Sequence, residues 1–194
     1  MNEYDLLIQN IRQLVAITEE EAHLIRLAFK PKILKKKEML LYTGEVSVHM
    51  RFIARGCLRS YYLDTHAQEH ILQFGIENWW INDLYSYLTQ TPARHFVQAL
   101  EPSLVLQIHR DTLEHLFTEV PAMERFFRLK IQKGYVSLQE RTIHSMSETA
   151  EERYTDFRIR YREIEQRVPQ YMVASYLGIT PEFLSSLRRK FLSN

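Results

Sequence analysis

A chain of 194 residues that is 45% hydrophobic can bury a sizeable core, which excludes a disordered protein and leaves room for one or two domains. Its formal net charge of +1 neither demands nor excludes a polyanionic partner, although residues 151–194 are mildly basic, with 8 basic and 6 acidic side chains against 17 and 18 in residues 1–150. A single cysteine, Cys57, excludes an internal disulfide and an iron–sulfur cluster held by several thiolates of this chain, so the cytoplasm is the default location.

No charged segment followed by an apolar run opens the chain, and no stretch approaches the roughly 18 apolar residues that cross a bilayer. Neither secretion nor a membrane is therefore expected. Residues 3–29 read as helical, with Leu6, Leu7, Ile11, Leu14 and Val15 on one stripe and Thr18 as a cap before Glu19, Glu20 and Glu21. After Pro31 the period changes to two. Short runs cover Ile33–Leu34, Met39–Tyr42, Met50–Ile53, Cys57–Leu63, His70–Phe74, Phe96–Leu100 and Leu104–His109. Turn residues around Gly44, Gly56, Asp64–Ala67 and Glu101–Ser103 separate them at intervals suited to an antiparallel barrel or jelly roll.

A helical interlude, Ile81–Thr89, interrupts the strands, and its Leu84, Tyr85 and Leu88 are expected to face the barrel. Asp111 is expected to cap a short helix reaching Phe117, and a long helix follows Pro121 to about residue 147. Leu129, Val136 and Ile143 recur every seven residues, with Gln132, Gln139 and Met146 at the alternate positions. That stripe is either a dimer seam or a core-facing face, and the spacing favours the seam.

The last segment is the most informative. Pro169 suits a first helical position, Ala174 permits a close helix crossing, and Gly178 supplies the left-handed residue that turns the chain. Thr180 then caps a second helix with Pro181 at its first position and Glu182 near the positive end of its dipole. Leu184, Leu187 and Phe191 form its apolar stripe, leaving Ser185, Ser186, Arg188, Arg189 and Lys190 on or near the other side. This pattern reads as a helix-turn-helix whose second helix enters a DNA major groove, against the plainer alternative of an αα-hairpin buried in a core.

The order of elements resembles the Crp/Fnr family of bacterial transcription regulators, and most closely its short members in Bacteroidetes. The motifs that carry the resemblance are Gly44-Glu45, the segment Phe52 to Arg59, the run Glu77 to Leu84, and Tyr176 to Glu182. It implies an α+β chain with a cyclic-nucleotide-binding-like sensor jelly roll and N-terminal helices in residues 1–120. A dimerisation helix would follow in 121–150, and a helix-turn-helix domain in 151–194. Implied partners are double-stranded DNA, a second copy of the chain and RNA polymerase.

Two departures limit the resemblance. Nucleotide-binding relatives hold the cyclic phosphate with a Gly-Glu pair and an Arg followed by a small residue. Here Asn82-Asp83 replace the pair, and counting back from Val97 puts Ala93 at the arginine position while a one-residue shift turns Arg94 to the opposite face. The geometry therefore argues against cyclic AMP, and no cofactor is expected. Another effector remains open, with Trp80, Asn82, Asp83, Leu84, Arg94 and His95 as candidate pocket residues and Trp79, Tyr85 and Tyr87 as possible apolar lining. In the reading helix, Ser186 stands where the family usually has an Arg that binds guanine, Arg188 and Arg189 look suited to phosphates, and only three residues follow Phe191, leaving no room for a wing.

No phosphate-binding glycine loop or Gly-x-Ser-x-Gly elbow occurs, so an enzyme is not expected. A cupin-like metalloenzyme has only His66 and His70 with Glu69 and Glu77 to offer, at a spacing unsuited to a hairpin. The remaining alternative is an effector-binding or protein-interaction module whose helix-turn-helix no longer reads DNA.

Overall fold

The computed structural model describes residues 2–192. Two short helices, α1 (Glu3–Arg12) and α2 (Glu19–Ala28), open the chain, each started by a reciprocal capping box, Asn2 with Asp5 and Thr18 with Glu21. The strands β1 (Lys30–Leu34), β2 (Met39–Leu41), β3 (His49–Arg55), β4 (Leu58–Leu63), β5 (Glu69–Gly75), β6 (Phe96–Ala99) and β7 (Ser103–His109) form two antiparallel sheets, ordered β1-β7-β3 and β2-β6-β4-β5. The short helix α3 (Leu84–Thr89) lies between β5 and β6.

Strand alternation sorts side chains into three cores. Leu34, Leu41, Ile53, Leu58, Val97 and Val105 fill the roll between the sheets. Their neighbours Met50, Phe52, Leu104, Leu106 and Ile108 point outward and meet α1, α2, α4 (Arg110–Glu119) and the start of the long helix α5 (Ala122–Ser147). On the far side, Tyr61, Ile71 and Phe74 face α6 (Ala150–Arg160), α7 (Arg162–Arg167), α8 (Gln170–Leu177) and α9 (Pro181–Leu192). The C-terminal helices are thus joined to the outer face of the second sheet by a continuous apolar cluster.

Gly56 makes the β3–β4 turn possible. Its φ is +105°, and a Cβ there would lie 2.1 Å from Ser103 Oγ and 2.7 Å from Ser103 Cα, so both backbone and space require glycine.

Several local expectations are corrected. His109, not Asp111, caps α4, its ring accepting from the Asp111 N–H. In α3 the inward residues are Ser86 and Tyr87, while Tyr85 and Leu88 are exposed, because Asp83 caps the helix and fixes its rotation. Pro169 is the extended N-cap of α8 and not its first helical residue.

Candidate nucleic-acid interface and sensor pocket

The α8–α9 pair is built as its residues dictate. Gly178 ends α8 in the left-handed region (φ 69°), and the Ile179 N–H returns to Ala174 O at 3.0 Å. Thr180 Oγ1 then accepts from the Phe183 N–H at 3.2 Å and starts α9. Leu184 and Leu187 are buried against α8, which holds the opposite face of α9 to solvent.

That open face carries Glu182, Ser185, Ser186 and Arg189, with Thr180 at its N-terminal end, all exposed. Arg188 is half-buried at the flank, near the Tyr154 hydroxyl. Lys190 is drawn aside, its Nζ lying 2.7 and 2.8 Å from the two carboxylate oxygens of Glu151 on α6. Ser186 turns its hydroxyl back to donate to Phe183 O at 2.7 Å. Phe183, which sequence pattern did not single out, is 47% exposed on the first turn.

Three side chains fasten this unit to the roll. Ser175 on α8 donates to Glu69 O and accepts from the Ile71 N–H, both at 3.0 Å, so a helix side chain satisfies the open edge of β5. Arg141 on α5 donates to Leu72 O, Ile71 O and Tyr176 O and lies 4.0 Å over the Tyr176 ring. Arg167 pairs with Glu77 and Glu101 of the roll. Burial raises the Glu77 carboxyl, but Arg167 and the Gly56 N–H outweigh it and hold it below the usual range.

Only some of the expected pocket residues converge. Trp80 leaves the roll for the helical core, against Phe29, Phe52, Phe126 and Phe127, and its Nε1 donates to Asn10. Leu84 and Tyr87 join that same core, whereas Trp79 meets Tyr161 at the junction with the C-terminal helices. Arg94 is exposed over the Tyr85 ring, beside an open cleft of about 630 Å³ also lined by Thr43, Gly44, Thr91 and Pro92.

Asn82, Asp83 and His95 do come together, with a partner the sequence reading missed. Asn82 Oδ1 accepts from the Arg51 N–H at 2.9 Å, Asp83 Oδ1 accepts from the Ser86 N–H, and Asp83 Oδ2 lies 3.3 Å from His95 Nδ1. Arg51 is 4% exposed, donates to Ser47 Oγ, and feels the charges of Glu45 and Asp83. The signal was a lone charge inside the apolar run Met50–Ile53.

A cyclic phosphate does not fit these residues. Ala93 is buried in the roll's interior where the resemblance implies an arginine, Arg94 is exposed, and the Ser86 N–H in the first turn of α3 is taken by the carboxylate of Asp83.

Other singled-out side chains are engaged elsewhere. His70 pairs with Asp64, Glu69 with Arg59, and no cluster of three or more metal-ligating side chains occurs among the described residues. Cys57 is fully buried, and burial pushes its thiol up to about 12. No helix among the described residues is long and apolar enough to cross a membrane.

Along α5, Met123, Phe126 and Phe127 anchor the first turns in the helical core. Residues 131–140 are all exposed, and Val136 and Ile143 are 51% and 61% accessible with Leu129 partly covered. The heptad stripe does not face the chain's own core.

A jelly roll, a projecting helix and a helix-turn-helix in this order make a cyclic-nucleotide-binding-domain-like fold joined to a helix-turn-helix unit. The cyclic nucleotide-binding domain family matches residues 31–119. Over 175 residues the chain is 26% identical to the anaerobic regulatory protein of Haemophilus influenzae, covering 84% of this chain and 66% of that one. It is also 26% identical to the fumarate and nitrate reduction regulatory protein of Yersinia pestis, covering 84% and 68%. The chain thus spans about two thirds of the length of these relatives. FixK2 from Bradyrhizobium japonicum shares the fold, with a TM-score of 0.70 at 17% identity over 85% of each chain. Over most of its length the chain is therefore similar to regulators of the Crp/Fnr kind, and residues 31–119 carry the cyclic nucleotide-binding domain.

Proposed function

We propose that the chain is a homodimeric, sequence-specific DNA-binding regulator of transcription. The observation that carries this reading is the open polar face of α9, held outward by Gly178, Leu184 and Leu187, together with an α5 whose Val136 and Ile143 are left exposed by the described residues. Two reading helices related by a two-fold axis along α5 would meet half-sites about one helical turn apart, on a pseudo-palindromic operator. Thr180, Glu182, Ser185, Ser186 and Arg189 form the DNA face, Arg188 flanks it, and RNA polymerase is the protein partner such a regulator engages.

Cyclic AMP is not its effector, for the reasons of fit given above. Signals from the roll would reach the reading helix through Arg141, Ser175 and Arg167, which tie β5 and its neighbours to α5, α7 and α8. The test is selection of bound sequences from a random duplex pool by the purified protein. An enriched inverted repeat is expected; binding that is weak, strongly salt-dependent and indifferent to sequence would overturn the reading.

A further inference from the structure

Phe183 stands out on α9. Nearly half its surface is open, and its ring joins neither the apolar cluster between α8 and α9 nor any ring pair among the described residues. Its backbone is fixed at both ends, the N–H by Thr180 Oγ1 and the carbonyl by Ser186 Oγ, so the ring's base is held firmly on the first turn. In a helix-turn-helix, N-terminal residues of the second helix reach base edges.

The neighbouring side chains define what the ring meets. Ser186, one turn on, is small and spends its donor on the helix itself, so it offers guanine no bidentate contact. Glu182, adjacent and exposed, can accept from the N4 amino group of cytosine. The one large contact surface on this turn is therefore apolar. The only apolar group in the major groove is the C5-methyl of thymine, which distinguishes A·T from T·A and from both G·C orientations.

We infer that Phe183 is a specificity-determining residue that reads a thymine methyl in each half-site, next to a base pair whose cytosine is read by Glu182. This rests on the DNA-binding reading above. The half-site is thus recognised by a methyl and an amino group where relatives with an arginine at the Ser186 position use guanine.

The test takes the operator enriched by selection and replaces each thymine in turn by deoxyuridine, which deletes only the methyl group. One replacement per half-site is expected to weaken wild-type binding about fourfold, the worth of one buried methyl-sized group. The same replacement should cost Phe183→Ala nothing and Phe183→Leu part of that factor. Because the ring is exposed and outside the apolar clusters, both variants should keep the wild-type circular dichroism and unfolding midpoint. An operator whose deoxyuridine versions all bind wild type equally, or a penalty that persists in Phe183→Ala, would overturn the assignment while leaving the regulator reading intact. Failure to enrich any sequence would overturn both.

Discussion

Arg167 on α7 grips Glu77 of the roll with two hydrogen bonds, Nη1 to Oε2 at 2.7 Å and Nη2 to Oε1 at 3.0 Å. The same carboxylate accepts the Gly56 N–H at 2.6 Å, and Arg167 also reaches Glu101. One guanidinium therefore fixes the C-terminal helices to the tight β3–β4 turn and to the turn before β7.

Replacing Arg167 by Met should cost only about 1 kcal/mol, because the pair is a quarter to a third exposed and water screens much of its attraction. The sign of its pH dependence is fixed. Glu77 has a folded pKa below its ordinary 4.5, so its contribution is complete above that pH and fades as pH falls through the lower folded value. Urea unfolding at pH 7 and pH 3.5 should show a wild-type advantage over Arg167→Met that shrinks in acid.

His49 gives a second pH signature. Burial, with Arg51, His109 and Lys32 close by, pushes its imidazole down to about 4. A histidine kept neutral in the folded state stabilises fully above 6.5 and loses that contribution as pH falls towards 4. His49→Gln should therefore lose less stability than wild type between pH 7.5 and pH 5, measured by chemical unfolding. The slope should not vanish, since His95 is also lowered by burial, partly opposed by Asp83.

What could be read from the sequence was local. Thr18 before three glutamates, the switch to period two after Pro31, and Gly178 ahead of Thr180-Pro181 each act within one turn, and the structure uses each as its chemistry requires. The aromatics were harder. Trp79 and Trp80 are adjacent in a segment whose neighbours alternate, and which core each enters depends on α5 and on Tyr161 between α6 and α7, far along the chain. Arg167 and Glu77 lie 90 positions apart, and nothing near either residue marks the pairing. Arg51 was legible in principle as a charge inside an apolar strand. Its role depends on Asn82 and Asp83, which only the fold brings near.

Gly178 offers a clean measure of the turn. A Cβ there would meet no atom within 4 Å, so any cost of substitution is conformational and arises from φ of +69°. Gly178→Ala should destabilise by about 1 kcal/mol and lower the melting temperature by roughly 2–4 °C, with Gly178→Asn nearer wild type because Asn tolerates the left-handed region. If the turn aligns α9, operator affinity should fall in the same order, Asn before Ala. Equal stability of Gly178→Ala and wild type would show that the turn adjusts its backbone.

The projecting part of α5 tests assembly. Val136 and Ile143 lie seven residues apart on a face turned away from Met123, Phe126 and Phe127, and Met146 beyond them is 83% exposed. Gln132 and Gln139 alternate with them, which weakens an a/d seam without abolishing it, since glutamines can pair across a two-fold axis. Introducing Val136→Glu with Ile143→Glu puts four carboxylates into a symmetric interface, where unpaired buried charge is strongly destabilising, and dimer dissociation should rise on the order of a hundredfold or more. Both positions are already solvent-exposed in the single chain, so the variant should stay folded and sediment as a monomer where wild type sediments as a dimer. Operator binding should then lose its two-site character and fall to that of one half-site. A wild-type chain that remains monomeric at high micromolar concentration would remove the seam from the mechanism and leave the exposed stripe without an account.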